Sequence, residues 1–243
     1  VEVVTGGSKG IGIGMEEAIG EYGAKVAIAS RGLEDLQKAE ANLTEKGIDV
    51  KGFQVDVTNK EQVDQLINDV VTTFGKLDIL VNNAGMNIRK PLVEIEEGDF
   101  DNVLNTNLKG VFLVGQAAAK QMLKQKSGKI INISSILGAI GLPMQSSYAA
   151  SKGGINQLTK VWADELATEG INVNAIAPAY IRTPMTEGWL SDKERFENIV
   201  NSTMAKRVGD LEDLAGPVVF LASDTSNYVT GQILHVDGGW TAR

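Results

Sequence analysis

Seven short apolar runs recur along the chain, separated by longer segments with apolar residues at helical spacing. The runs are residues 1–4 (VEVV), 25–30 (KVAIAS), 50–55 (VKGFQV), 78–81 (DILV), 129–133 (KIINI), 171–177 (INVNAIA) and 232–236 (QILHV). Their length and β-branched content predict buried strands. The intervening helical patterns run through Tyr22, over 33–46, up to Phe74, and over 100–124, 147–169 and 211–223. Strands alternating with helices predict an α/β fold in which a parallel sheet is covered on both faces. Right-handed crossovers then bring every strand's carboxyl end to one rim. Residues 184–209 break the alternation: they are polar, with Met185, Trp189 and Phe196 embedded. This predicts a small helical lid within the same domain, with an ordinary surface helix as the plain alternative.

The strand ends carry the chemistry. The first run is followed by Thr5-Gly6-Gly7-Ser8-Lys9-Gly10-Ile11-Gly12 and then a helix. That order starts a dinucleotide-binding unit: glycines let the backbone approach a pyrophosphate, and the helix N-terminus offers free N–H groups. The same turn reads G-x-S-x-G, the nucleophile elbow of serine hydrolases. A triad needs a histidine base, however, and His235, the sole histidine, falls in a strand pattern. The second strand ends at Ser30-Arg31 without an acidic residue at 29–31. An acid there would hold ribose hydroxyls, whereas Arg31, joined by Lys9, suits a 2′-phosphate. These residues predict NADP(H) over NAD(H), unless Arg31 and Lys9 are merely solvated.

Asp56 and Val57 end the third strand, where an adenine would sit; Asp56 could equally cap the following helix. Asn83, Ala84 and Gly85 end the fourth, with a basic loop over 86–91 that is either solvated or a substrate anchor. Asn107 falls on the sheet-facing side of its helix, as a buried strut or as part of a water chain. Ser134 and Ser135 end the fifth strand. Tyr148 and Lys152 follow, one helical turn apart on one face, either an ordinary solvated surface pair or a phenol beside an ammonium that favours its ionised form. Pro178, Ala179, Ile181 and Thr183 follow the sixth strand.

Composition narrows the picture further. The chain has 243 residues, 43% hydrophobic, which suits one large domain spanning 1–243. The absence of cysteine and the single histidine argue against disulfides, thiol catalysis and a Cys/His metal site. A net charge of −8 argues against nucleic acid as a partner. No apolar run reaches the roughly 18 residues of a membrane span. With no signal peptide visible, the expected location is cytosolic.

TGGSKGIG, DVT, NNAG, the Asn107 position, NISS, YAASK and APAYIRT occur together in order. In this respect the whole chain resembles the short-chain dehydrogenase/reductase family. The resemblance implies a Rossmann-type doubly wound sheet of seven strands ordered 3-2-1-4-5-6-7. It implies a catalytic set of Asn107, Ser135, Tyr148 and Lys152, with Ser135 chosen over Ser134 by its spacing to the tyrosine. Tyr148 would exchange the hydroxyl proton, Lys152 would lower its pKa and bind the nicotinamide ribose, Ser135 would polarise the carbonyl, and Asn107 would hold a water. Ile181 and Thr183 match positions that touch the nicotinamide carboxamide. Ala179 stands where the family usually has glycine, so the loop would be strained if φ were positive there. NAGMNIRKP, APAYIRTPMTE and the C-terminal segment look similar to gluconate 5-dehydrogenase-like members, which act on sugar acids. That implies a ketone/alcohol substrate held by Arg89 through its carboxylate, with Met144, Gln145 and Trp189 walling the pocket. The alternatives are a 3-oxoacyl-carrier-protein reductase, a broad carbonyl reductase, and a non-catalytic NADP(H) sensor. Family resemblance also suggests a homotetramer.

Overall fold

The computed structural model describes residues 1–242. Seven parallel strands form one sheet in the order β3-β2-β1-β4-β5-β6-β7. They are β1 (Glu2–Thr5), β2 (Val26–Ser30), β3 (Val50–Gln54), β4 (Ile79–Asn82), β5 (Gly128–Ile133), β6 (Ile171–Pro178) and β7 (Ile233–Val236). The pleat assigns the core. Val3, Leu80, Ile130 and Val173 pair in register across four strands and face one layer of helices: α3 (Lys60–Phe74), α5 (Gly110–Gln125) and α6 (Ser146–Leu166). One residue on, Val4, Val81 and Ile131 pair and face the opposite layer, α1 (Ile11–Glu21) and α9 (Glu212–Ala222). A one-residue slip would exchange the two faces. The helix α2 (Leu33–Glu45) covers β2 through Leu36, Ala39 and Leu43.

The strand order separates β1 from β7 by three strands. At ~4.8 Å per strand, His235 on β7 stands roughly 19 Å from the turn after β1. The hydrolase reading therefore has no base within reach of Ser8, whose hydroxyl instead meets that of Ser30 at 2.8 Å.

Three predicted elements come out differently. The helix expected over 100–124 is divided into α4 (Glu97–Leu104) and α5, joined by a wider turn, Asn105–Lys109. There the Gly110 N–H bonds the Asn105 carbonyl, five residues back. Such bulges frequently occur at functional sites, and this one contains Asn107. Second, Asp56 does not cap α3. Asn59 does so, accepting from the Gln62 N–H at 3.0 Å. The Asp56 carboxylate accepts from the Thr58 N–H and hydroxyl instead, because it lies too far ahead of the first helical turn. Third, the segment expected as a lid contains two regular helices, α7 (Pro184–Leu190) and α8 (Lys193–Ser202). Pro184 opens α7 behind a Thr183 cap, and Asp192 caps α8 by accepting from the Arg195 N–H. These local signals are stronger than the polar composition that hid them. Among the described residues no helix is long and apolar enough to cross a membrane.

Candidate active site

The carboxyl ends of the strands open into a cleft of about 400 Å³. Its floor is the turn after β1, where Gly6 and Gly10 have φ of +64° and +62°. A Cβ on Gly6 would stand 2.8 Å from the Ala84 backbone, and one on Gly12 would stand 2.7 Å from the Gly6 carbonyl. Only glycine fits both places. The strand end after β4 braces this turn. Asn83 Nδ2 donates to the carbonyls of Thr5 and Gly6, and Thr5 Oγ1 accepts from the N–H groups of Asn83 and Ala84. No side chain caps the start of α1. Its first N–H groups are thus left for an anion, with the helix dipole in support.

Ser8, Lys9, Gly10, Ile11, Ser30, Arg31, Asp56 and Val57 line the cleft at one end, with Gly6, Asn83, Ala84 and Gly85 along its floor. Gly12 does not line it; it is the buried residue that lets the turn close. The two cations expected at a 2′-phosphate differ. Lys9 already pairs with Asp35 at 2.7 Å. No ion pair engages Arg31 or Arg89 among the described residues. For Asp56, burial alone would raise the pKa, but hydrogen bonds from Thr58 and the Arg31 charge outweigh it and hold the carboxyl low.

At the other end stand Ser135, Tyr148 and Lys152, with Pro178, Ala179, Ile181 and Thr183 opposite. The two serines separate cleanly. Ser134 is spent on the Asn156 side chain at 2.6 Å and the Lys152 carbonyl. Ser135 Oγ accepts from the Leu137 N–H at 3.2 Å, and Ser135 lies close enough to the Tyr148 phenol to favour its ionised form. Burial raises the Tyr148 pKa, and the groups opposing it are Ser135 and Arg89. Lys152 is almost fully buried and donates to the Ile133 carbonyl at 2.7 Å. Its Nζ stands 5.4 Å from the Tyr148 ring centroid. Desolvation pushes its pKa down to about 8. Both shifts follow from removing charge from water.

Asn107 lies behind the cleft. Its Oδ1 accepts from the Met86 N–H, and its Nδ2 donates to the Met86 carbonyl and to Ser151 Oγ. Both side-chain N–H groups and one of the two acceptor positions of Oδ1 are used, so Asn107 ties the loop after β4 to α6. Of the expected substrate residues, Ser135 and Tyr148 line the cleft, whereas Arg89, Met144, Gln145 and Trp189 lie outside its lining. Arg89 Cζ lies 4.7 Å from the Trp189 ring centroid. Gln145 is buried and accepts from Asn87 Nδ2, which closes a loop instead of facing a ligand. Met144 is exposed with φ +65°. Backbone strain of this kind, expected at Ala179, is instead found at Met144; Ala179 has no positive φ.

Sequence reasoning missed Met86, Thr106, Met185 and Thr186 on the cleft wall. It also missed Tyr180, stacked on Trp240 with centroids 5.8 Å apart. Arg89 acts on its pKa too, against the upward effect of burial. Adjacency to the strand-end motifs was the available signal, since each of these lies within a few residues of a chosen position.

A glycine-floored nucleotide cleft that ends in a serine, a phenol and a buried ammonium defines a dinucleotide-dependent oxidoreductase. The comparisons with known proteins agree. The family model described as enoyl-(acyl carrier protein) reductase matches residues 6–241. The 3-oxoacyl-[acyl-carrier-protein] reductase of Staphylococcus aureus is 45% identical over 240 residues, covering 98% of this chain and 96% of that protein. The gluconate 5-dehydrogenase of Gluconobacter oxydans is 38% identical over 239 residues, covering 98% and 93%. A solved gluconate 5-dehydrogenase from Burkholderia cenocepacia, in complex with NADP and tartrate, superposes with a TM-score of 0.96 at 36% identity. That match covers 100% of this chain and 95% of the other. The chain belongs to the short-chain dehydrogenase/reductase family of oxidoreductases.

Proposed function

We propose that this protein interconverts a ketone and a secondary alcohol with NADP(H), and that its substrate is a sugar acid of the gluconate/5-ketogluconate type. The observation that carries the substrate reading is Arg89. Its Nε is buried without a hydrogen-bond partner, and its charge bears on both Tyr148 and Tyr180. An unpaired guanidinium beside the reacting phenol suits a carboxylate. Supporting the cofactor reading are the glycine floor, the uncapped α1 and the unpaired Arg31.

A bound nicotinamide supplies or accepts the hydride. The chain's own residues do the rest. Ser135 Oγ and the Tyr148 hydroxyl converge on the position of a carbonyl oxygen. Ser135 donates a hydrogen bond that favours charge on that oxygen, and Tyr148 delivers the proton. Burial keeps the phenol protonated, which suits the reducing direction. The Lys152 ammonium, held by the Ile133 carbonyl, favours charge on the neighbouring phenol and would hold the nicotinamide ribose when the cofactor binds. Asn107 acts at one remove, by fixing Met86 and Ser151. The helices α7 and α8 serve as the lid.

Two substitutions test this reading. Arg89→Ala should lower kcat/KM for 5-ketogluconate by about tenfold or more, the value of one charge-assisted hydrogen bond. It should spare neutral ketones; equal loss on both would remove the carboxylate role. Arg31→Ala should raise the KM for NADPH by about tenfold and leave that for NADH nearly unchanged; parallel changes would place the 2′-phosphate elsewhere.

A second reading, reduction of 3-oxoacyl thioesters on a carrier protein, is favoured by the 45% identity to the staphylococcal reductase. Against it, two of the lid-side cations are held in ion pairs, Arg207 with Asp213 and Arg182 with Asp210, and the chain's net charge of −8 opposes docking of an acidic carrier. For assembly, an open apolar groove formed by Leu104, Leu108, Phe112, Gly154 and Leu158 supports a homotetramer built on the α5 and α6 faces. Light scattering that shows a monomer would refute it.

A further inference from the structure

The lid carries one contact that the chemistry above does not use. Trp189, on α7, is enclosed by two guanidiniums: Arg89 Cζ lies 4.7 Å from its ring centroid and Arg195 Cζ lies 4.1 Å from it. Arg195 belongs to α8, the second lid helix, and Arg89 to the loop after β4 on the body of the molecule. The indole is therefore one of the side chains that join lid to body.

A guanidinium has two distinct ways to bind. Its face stacks on an aromatic ring, and its in-plane edges donate hydrogen bonds, so both can be occupied at once. In Arg89 the face is taken by Trp189. The Nε–H edge is removed from water and has no acceptor. An unpaired buried donor of this kind is costly unless a ligand satisfies it. A carboxylate meeting the Nε–Nη edge would accept two parallel hydrogen bonds without disturbing the stack.

We infer that Trp189 is a positioning residue: it holds Arg89 by its face so that the Nε–Nη edge meets the substrate carboxylate, and it thereby makes lid closure depend on an acidic substrate. This rests on the carboxylate reading of Arg89. Arg195, whose Cζ lies 4.1 Å from the same ring centroid, gives the indole a second contact on the lid. Closure and anion binding then become one event, because the same planar cation contacts the lid through its face and the substrate through its edge. A neutral ketone makes only one of these contacts and gains nothing from the indole.

The test compares Trp189→Ala and Trp189→Phe with the wild type, each checked for an unchanged melting temperature and NADPH affinity. The substrates are 5-ketogluconate and an uncharged aliphatic ketone. Trp189→Ala should raise the KM for 5-ketogluconate by about tenfold, as expected for loss of a desolvated cation–π contact. Its kcat should stay within about twofold, and the neutral ketone should be affected by less than about twofold at this level of coupling. Trp189→Phe, which keeps a ring face, should recover most of the loss. Equal effects on both ketones, or failure of phenylalanine to restore more than alanine, would overturn the inference. The two levels separate through Arg89→Ala. If that variant loses selectivity for the acid while Trp189→Ala does not, the positioning role alone fails. If neither discriminates, the carboxylate reading fails with it.

Discussion

Tyr148→Phe folds, binds NADPH like the wild type, and loses turnover by a factor on the order of 10²–10⁴, the usual contribution of a positioned acid or base. The substitution removes one hydroxyl from a cleft whose other contacts are independent of it. The nucleotide floor is built by Gly6, Asn83 and Thr5, and Lys152 is held by the Ile133 carbonyl, not by the phenol. KM for the ketone should move much less than kcat, because the proton is transferred in the transition state. The pH profile of the wild type carries a second signature. Lys152 titrates at about 8, so reduction should decline as pH rises through that value and the ammonium is lost. In Tyr148→Phe the residual rate should be flat across the same range. A variant with more than about a tenth of wild-type turnover would remove Tyr148 from the proton path.

Folding stability should fall as pH rises from mildly acidic to alkaline, because two carboxyls with no hydrogen-bond partner are buried between β1 and α1. Glu2, on β1, and Glu16, on α1, are both fully inaccessible, and none of their four oxygens has a partner. The Glu16 carboxyl occupies the space that a side chain on Gly7 would need. Burial raises both pKa values well above the ordinary carboxylate range, and for Glu16 the proximity of Glu2 adds to the effect. A raised folded-state pKa means that the native protein holds protons the unfolded chain gives up. The contribution is complete below the unfolded value near 4.5 and is lost as pH climbs through the folded value. Within that window each carboxyl costs about 1.4 kcal/mol per pH unit. Glu16→Gln keeps the shape and removes one titration, so the slope of unfolding free energy against pH should drop by nearly one proton. Denaturant titrations at pH 5 and pH 8 measure this. An unchanged slope would mean that the Glu16 carboxyl is ionised in the native state.

The architecture was legible because each strand carries its own signal. Short β-branched runs between glycine turns mark β1 through β7, and the parallel rule brings their ends to one rim. Helical spacing puts Tyr148 and Lys152 on one face, but such a pair is common on helix surfaces; the gathering of the strand-end motifs on one rim was what singled it out. What was hidden depends on contacts distant in sequence. Lys9 reads as a free cation until α2 brings Asp35 to 2.7 Å. Gln145 reads as a pocket wall until Asn87, far away in the chain, takes its oxygen. The bulge at Asn105–Lys109 has no composition signature; it coincides with Asn107, which bonds Met86 and Ser151, partners distant in sequence. Tyr180 and Trp240 meet only because the chain's end folds back over β6. Asn59 was a sequence-readable cap that Asp56, three residues earlier, obscured.

The central claim is that this cleft reduces a ketone with NADPH and selects for a carboxylate on it. The most direct measurement is the steady-state rate of nicotinamide oxidation by the wild-type protein, with NADPH and NADH in turn, across 5-ketogluconate, an acetoacetyl thioester and a neutral aryl ketone. The account predicts the highest kcat/KM for NADPH with 5-ketogluconate. A higher kcat/KM for the acetoacetyl thioester, or no oxidation of NADPH by any of the three despite tight binding of the nucleotide, would contradict it.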